Sequence, residues 1–315
     1  MTRKIFYLGD FIKGNGPSTV DLSLKAELGG YDIFFQQSNY LPTLRSLLFF
    51  LQATNIHVSG VSFFGAIFVI LGRILGKYCT YTMHGYLANE SKYRDVKVRS
   101  LFVEKVLLSC SHKIIVVSTQ MKRVTKYYNK AYAIPNGVDL VRERQSLNQS
   151  KSNVITLIGG GRPEKRHLAV CKIIEELNKE GCQLLVNLYG EVGSETESLV
   201  KYDFVKDYGF VSKELIKESL RISKIFIQYS TWESFSLSVA DAINSQCNVI
   251  TSEYVGINNY IIPNDFYRIV HDDLELKLAI KEMMLNDEMK YQMPNNSLLS
   301  WDQVAQKYFV LWNTK

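Results

Sequence analysis

The chain is poor in cysteine, and what it has is not spaced for metal. Cys79, Cys110, Cys171, Cys182 and Cys247 are scattered, odd in number and include no C-x-x-C pair. That spacing excludes a disulfide framework and the common zinc sites, and it fits a reducing cytosol. Long hydrophobic runs are missing too. The best candidate, VSGVSFFGAIFVILG at residues 58–72, falls short of the roughly 18 to 20 apolar residues a membrane span needs. It reads instead as a helix buried between strands. The opening MTRKIFYLGD has charge but no apolar core or small-residue cleavage site, so a secretory signal is not expected and a cytoplasmic location is. There is no low-complexity tract, short-period repeat, aromatic RNA-binding signature, zinc-finger spacing or coherent basic helix, so nucleic acid is not an expected partner.

What is present is ordinary for a globular chain. Hydrophobic residues make up 46% and charged residues 22% of 315, a length that suggests two domains. The net charge of +6 is unevenly divided. Residues 1–150 hold 19 Lys and Arg against 9 Asp and Glu, whereas residues 151–315 hold 18 against 22. The basic half suggests an anionic counterpart, either a phosphorylated substrate or the inner face of a membrane.

Short apolar runs alternate with helical patterns from end to end. KIFYLG, YDIFFQ, NIHVSG, KYCTYTMHG, HKIIVVS and KAYAIPNG read as strands separated by helices. After the polar stretch RERQSLNQSKSN at 142–153 the rhythm restarts with VITLIGGG, CQLLVNLYG, DFVKDYGFV, KIFIQYS and CNVITS. The expected fold is α/β, with two Rossmann-like domains facing across a cleft. Residues 1–145 form the first and 150–295 the second.

The motifs lie in loops after strands. Gly14, Asn15, Gly16 and Pro17 suggest a tight turn before a helix that Ser18 or Thr19 could cap, which makes either a phosphate or acceptor site or a plain turn. It is not a full G-x-G-x-x-G, and no acid ends the second strand, so a nicotinamide fold is weakly supported. IGGGRPEKRH places Gly160 and Gly161 where backbone can approach a ligand, with Arg162, Lys165 and Arg166 following. In STWESFSLSVADAINSQ, Glu233 precedes a helix that Ser236 is expected to cap, and Asp241 lies within it. The amides of Ser234, Phe235, Ser236 and Leu237 would point toward an anion. The run HDD at 271–273 reads as a helix cap, and no metal motif is evident.

Taken with IPNGVD, KIIVVS and MHG, the motifs GGGRPEK and ESFSLSVAD resemble the retaining GT-B glycosyltransferases of family 4, in the same order and over nearly the whole chain. The resemblance implies transfer of a sugar from a nucleotide diphosphate sugar to an acceptor hydroxyl, in the synthesis of a bacterial surface glycan. It gives Glu233 the donor hexose, Asp241 the ribose, Lys165 and Arg162 the diphosphate, Phe210 and Val211 the base, and His84 the neighbourhood of sugar and acceptor. It implies no metal and no cofactor beyond the donor, and leaves UDP and GDP open. The acceptor would be a glycan or a lipid-linked saccharide. Residues 296–315 resemble a helix returning to the first domain, with Trp301, Tyr308 and Phe309 as packing residues. Two departures stand out: Asp241 is one methylene shorter than the usual Glu, and Gly160 takes the place of the family's usual Arg. Two further readings remain, a catalytically inactive binding subunit and another GT-B enzyme such as a nucleotide-sugar epimerase.

Overall fold

A computed structural model describes residues 4–12, 14, 16–139, 151–285 and 291–314. Asn15 and most of the polar stretch at 142–153 lie outside them. The chain divides into two compact units, residues 1–138 with 299–315, and residues 139–298.

In unit 1 the elements run β1 (Ile5–Gly9), α1 (Gly16–Glu27), β2 (Ile33–Gln37), α2 (Leu44–Gln52), β3 (Asn55–Ser59), α3 (Phe63–Ile74) and β4 (Tyr78–Met83). They continue with α4 (Leu87–Glu90), α5 (Val98–Cys110), β5 (Lys113–Val116), α6 (Thr119–Val124) and β6 (Ala131–Ala133). Unit 2 contains β7 (Ser152–Ile158), α7 (His167–Lys179), β8 (Leu185–Tyr189), α8 (Thr196–Leu199), β9 (Val205–Asp207) and α9 (Lys213–Ile222). It is completed by β10 (Ser223–Gln228), α10 (Leu237–Asn244), β11 (Asn248–Ser252), β12 (Tyr267–Val270) and α11 (Asp273–Leu285). The last helix, α12 (Trp301–Asn313), belongs to unit 1.

Each unit is a six-stranded sheet whose paired strands are all parallel. The order is β2-β1-β3-β4-β5-β6 in unit 1 and β12-β11-β10-β7-β8-β9 in unit 2. The inner strands β1, β3 and β10 are buried at every position, as expected where helices cover both faces of a parallel sheet. Strand order reverses between β1 and β3 in unit 1, and between β7 and β10 in unit 2. Such switch points part the loops at the carboxyl ends of the strands and open a crevice for a ligand.

α12 closes unit 1 with a buried polar and aromatic plug. The indole Nε1 of Trp312 donates to Thr80 Oγ1 at 3.2 Å, its carbonyl accepts from Asn55 at 2.6 Å, and the Tyr308 hydroxyl bonds Thr82 at 3.1 Å. Phe309 packs on Tyr31 with ring centroids 4.2 Å apart.

Several expectations are corrected. α1 begins at Gly16, so Ser18 and Thr19 lie inside the helix rather than capping it. Ser152 and Asn153, the end of the polar stretch, belong to β7, and the division between units falls at Val138, whose N–H donates to the carbonyl of Leu299 at 2.9 Å. α3 is buried on one side only. Ala66, Phe68 and Val69 face inward while Phe63, Ile70 and Ile74 face water.

Candidate active site

The switch point of unit 2 brings Lys165 and Glu233 together. Lys165 follows β7 in a short 3₁₀ turn, and Glu233 follows β10 in the loop before α10. The Lys165 ammonium forms an ion pair with Glu233 Oε2. Lys165 is buried, whereas the Glu233 carboxylate keeps about a quarter of its surface in water, at 24%. Two straps hold the loops. Thr231 N–H donates to the Glu164 carbonyl at 2.9 Å, and Glu233 exchanges backbone bonds with Tyr254 and Gly256 at 3.0 and 2.8 Å.

Glycine is required here by backbone geometry. Gly159 has φ +138°, and a Cβ on it would meet the Lys165 stem at 2.8 Å, so its lack of a side chain lets Lys165 lie across the end of β7. At Gly160, with φ +60°, a Cβ would collide with the Glu191 carbonyl. Both amides donate to the Tyr189 carbonyl, at 2.7 and 2.8 Å, and the Gly161 carbonyl accepts from Glu195 at 2.9 Å. The glycines thus serve the close packing of the loops after β7 and β8. Arg162 is half exposed and folds back on the turn, donating to the Gly159 carbonyl at 3.0 Å. Arg166 turns away, with its guanidinium 3.9 Å from the centre of the Tyr229 ring and 3.1 Å from Asp273.

α10 has no side-chain cap. Ser236 occupies the N-cap position, but its hydroxyl goes to Gln228 at 3.5 Å and its backbone sits at φ +89°. A serine held there is strained, and such strain gathers at ligand sites. The expected cap is therefore corrected: the fold gives the Ser236 side chain to β10 and leaves the first turn of α10 uncapped. Amides at such a terminus attract anions. Phe235 is buried, its ring 6.0 Å from Tyr260, so only its backbone borders the loop. Asp241 lies one turn into α10. Burial pushes its carboxyl up, offset by Lys213 at 4.0 Å and by Lys217. Beyond β9, Gly209 at φ +64° turns the chain and leaves Phe210 exposed beside half-buried Val211.

In unit 1, Gly16 opens α1 with free space around it, so nothing there demands glycine. His84 follows β4, beside that unit's switch point. Its Nε2 is 2.7 Å from Ser59 Oγ, at the end of β3. Ser59 also hydrogen-bonds Asp21, which accepts from the Tyr7 hydroxyl at 2.8 Å and from Asp10 N–H at 2.7 Å. Burial holds His84 neutral by lowering it to about 4, and raises Asp21 to about 6. An ionised Asp21 can only accept, so a Ser59 proton turned toward Asp21 leaves Ser59 to accept from His84 Nε2–H. His84 Nδ1 is then a lone pair, and it is shut off from solvent with no partner among the described residues. The Tyr7, Asp21 and Ser59 network was not anticipated from sequence. The signal was an acid on the buried face of α1, beside Val20 and Leu24.

Other acids are in structural use. Asp272 caps α11 by accepting from Glu275 N–H at 2.8 Å, as its position suggested, and Asp273 accepts from the Tyr229 hydroxyl at 2.7 Å. Among the described residues no three His, Cys, Asp or Glu gather as metal ligands would. A depression of about 720 Å³ lined by Asn178, Gln183, Leu184 and Phe204 lies at the amino ends of β8 and β9, the opposite edge from the ion pair.

Comparison with known proteins agrees with this topology. Residues 141–298, half of the chain, match the family described as glycosyl transferases group 1. A curated relative from Escherichia coli, the UDP-Gal:alpha-D-GlcNAc-diphosphoundecaprenol alpha-1,3-galactosyltransferase, is 26% identical over 224 residues, which take in 62% of this chain and 57% of that one. Among solved structures, HepE of Anabaena in complex with UDP and glucose aligns over 99% of this chain and 100% of its own at TM-score 0.72 and 13% identity. A sucrose-phosphate synthase from Thermosynechococcus elongatus aligns over 98% of both chains at TM-score 0.73 and 17% identity. The fold is GT-B.

Proposed function

Because the chain belongs to the glycosyl transferases group 1 family, we propose that it moves a hexose from a nucleotide diphosphate sugar to an acceptor hydroxyl with retention at the anomeric carbon. The carrying observation is the Lys165–Glu233 ion pair beside the uncapped, strained start of α10. Without ligand each charge is the other's partner. With donor bound, Lys165 turns to the diphosphate and Glu233 accepts from hexose hydroxyls. Departure of the nucleotide leaves an oxocarbenium-like centre and puts charge on the phosphates, where Lys165, Arg162 and the amides of Ser234 to Leu237 stabilise it. The leaving phosphate takes the acceptor proton on the same face, and Lys165 with Arg162 neutralises the diphosphate in place of a metal.

Asp241 receives the ribose, and Phe210 with Val211 flanks the base. In unit 1, His84 Nδ1 accepts from a hydroxyl of sugar or acceptor once binding shifts the loop after β4 and uncovers it. UDP is the proposed nucleotide and a lipid-linked saccharide the proposed acceptor, supported by the Escherichia coli relative, a UDP-Gal:alpha-D-GlcNAc-diphosphoundecaprenol transferase, and by the Anabaena complex with UDP and glucose. A role in surface glycan synthesis, a cytoplasmic location and peripheral contact with an anionic membrane belong to the same reading.

Thermal-shift binding against UDP, GDP and their sugars tests it, with Glu233→Ala and Lys165→Ala beside the wild type. A nucleotide that stabilises the wild type and much less the variants is the expected result. If no nucleotide shifts the wild type, the transferase reading falls and the inactive binding subunit takes its place.

A further inference from the structure

The most apolar helices of unit 1 bury only half of what they carry. α3 sets Ala66, Phe68 and Val69 against the sheet, yet Phe63, Ile67, Ile70 and Ile74 line its opposite face in water, Ile74 at 75% exposure. α2 buries Ser46 and Phe50, and exposes Leu44, Leu47, Leu48 and Leu51, the first at 74% and the last at 61%. The two helices are neighbours: Phe50 and Phe68 meet with ring centroids 4.9 Å apart. α5 packs beside α3 and adds exposed Phe102, with the Arg99 guanidinium 4.9 Å from the Phe63 ring. A helix apolar on both sides is normally covered on both, and a continuous exposed patch of this kind marks an interaction surface.

Charge identifies the occupant. α2 and α3 contain no acid, only Arg45 and Arg73. On α5, Glu104 is buried and donated to by the amides of Leu87 and Ala88, so Arg99 and Lys105 stand unopposed there. Lys92 and Lys97 in the preceding segment outnumber Asp95, while Arg94 is paired with Glu90. A two-fold contact between copies would set these cations against one another with only Asp95 free to meet them. Aliphatic and aromatic side chains ringed by Arg and Lys are what an anionic bilayer surface accepts. No described helix is long and apolar enough to cross a membrane.

We propose that the outer faces of α2 and α3, with the basic start of α5, form the surface by which unit 1 seats on an anionic phospholipid bilayer. The apolar side chains enter the headgroup boundary with the helices in its plane, and the arginines meet lipid phosphates. This deepens the membrane contact in the functional reading by giving it a surface. It also explains why the run at 58–72 is more apolar than the core of unit 1 requires.

The experiment is co-sedimentation of the full chain with vesicles of phosphatidylcholine alone or mixed with phosphatidylglycerol. Wild type is compared with Leu48→Glu/Ile74→Glu and with Arg73→Glu/Arg99→Glu. Wild type is expected on the mixed vesicles and not on phosphatidylcholine alone. The arginine pair should bind at least about thirtyfold more weakly, the loss of two charges at their usual interfacial worth with the reversal of sign adding to it, and the apolar pair should fail to bind even at low salt. Because the changed side chains are exposed, all three proteins should melt alike. Wild type that stays in solution, or variants that sediment as wild type does, would overturn the proposal. So would a wild-type dimer in sedimentation velocity that the apolar pair abolishes, since a second copy would then be the occupant. UDP binding by each protein, measured alongside, separates failure of this surface from failure of the transferase reading.

Discussion

The two switch points share a topology and differ in chemistry. In unit 2 a buried lysine meets a half-open carboxylate beside an uncapped helix, so the loops hold charge ready for an anion. In unit 1 the corresponding place carries His84, kept neutral by burial, at the end of a hydrogen-bonded chain through Ser59 to Asp21. In the proposed reading one crevice takes the diphosphate and the other the hydroxyls. A parallel sheet supplies only the place; the side chains entering from the loops decide which ligand atoms it can hold.

That division is broken most severely in unit 2. Lys165→Ala should lower turnover roughly a hundred- to thousandfold, the usual cost of losing one preorganised charge at a leaving group. It should also abolish stabilisation by UDP. Glu233→Gln should behave differently: UDP alone should still stabilise it, while the sugar of UDP-hexose should no longer add to the shift. Equal loss of UDP binding in both variants would show that the pair acts as one structural unit, with no separate sugar and phosphate roles.

Unit 1 should respond through proton placement. Asparagine at position 21 can donate to Ser59, which would turn the Ser59 proton toward His84 Nε2 and put the ring proton on Nδ1. Asp21→Asn should therefore cost about ten- to a hundredfold in turnover, the effect of one buried acceptor left without its hydrogen bond, and leave UDP binding unchanged. ¹⁵N shifts of His84 should report the Nε2–H tautomer in the wild type and its loss in the variant. The same chain sets a pH dependence. Asp21 is raised to about 6 by burial, so its carboxyl is protonated below that pH and donates to Ser59, as asparagine would. Turnover should fall as pH drops through about 6, and Asp21→Asn should flatten that limb. A limb of unchanged midpoint in the variant would assign it to another group.

How much of this was legible in the sequence depended on whether a partner was near in the chain. The inner strands could be read from runs such as KIFYLG and KIFIQYS, because strands covered on both faces are apolar throughout. β12 could not. YRIV is four residues at a sheet edge with Arg268 among them, and only Tyr267 and Val270 are buried. The Lys165 and Glu233 loops stood out as motifs, but their pairing spans 68 positions and is made by β7 and β10 lying side by side. Ser236 looked like a cap because serine before an apolar run usually is one. The fold instead gives its hydroxyl to Gln228, eight residues back on β10. Asp21 stood out only as an acid on the buried face of α1 and Ser59 only as a polar residue closing β3, so neither gave a local signal of a shared role.

The mildest loss is expected at Asp241, which tests whether unit 2 also reads neutral hydroxyls. Its carboxyl is pushed up by burial and held by Lys213, which keeps Asp139 as a second partner at 3.8 Å. Asp241→Asn should thus hardly change the melting temperature. If the carboxylate accepts from the ribose, the variant should raise KM for the donor about three- to tenfold, the worth of one ordinary hydrogen bond, and leave kcat alone. The wild type should then prefer UDP to its 2′-deoxy counterpart and the variant should not. Asp241→Glu restores the charge with one more methylene, so it should keep that preference if the site has room for the longer reach. A preference for the ribose form that survives Asp241→Asn would move ribose recognition to another residue and leave Asp241 as the partner of Lys213 alone.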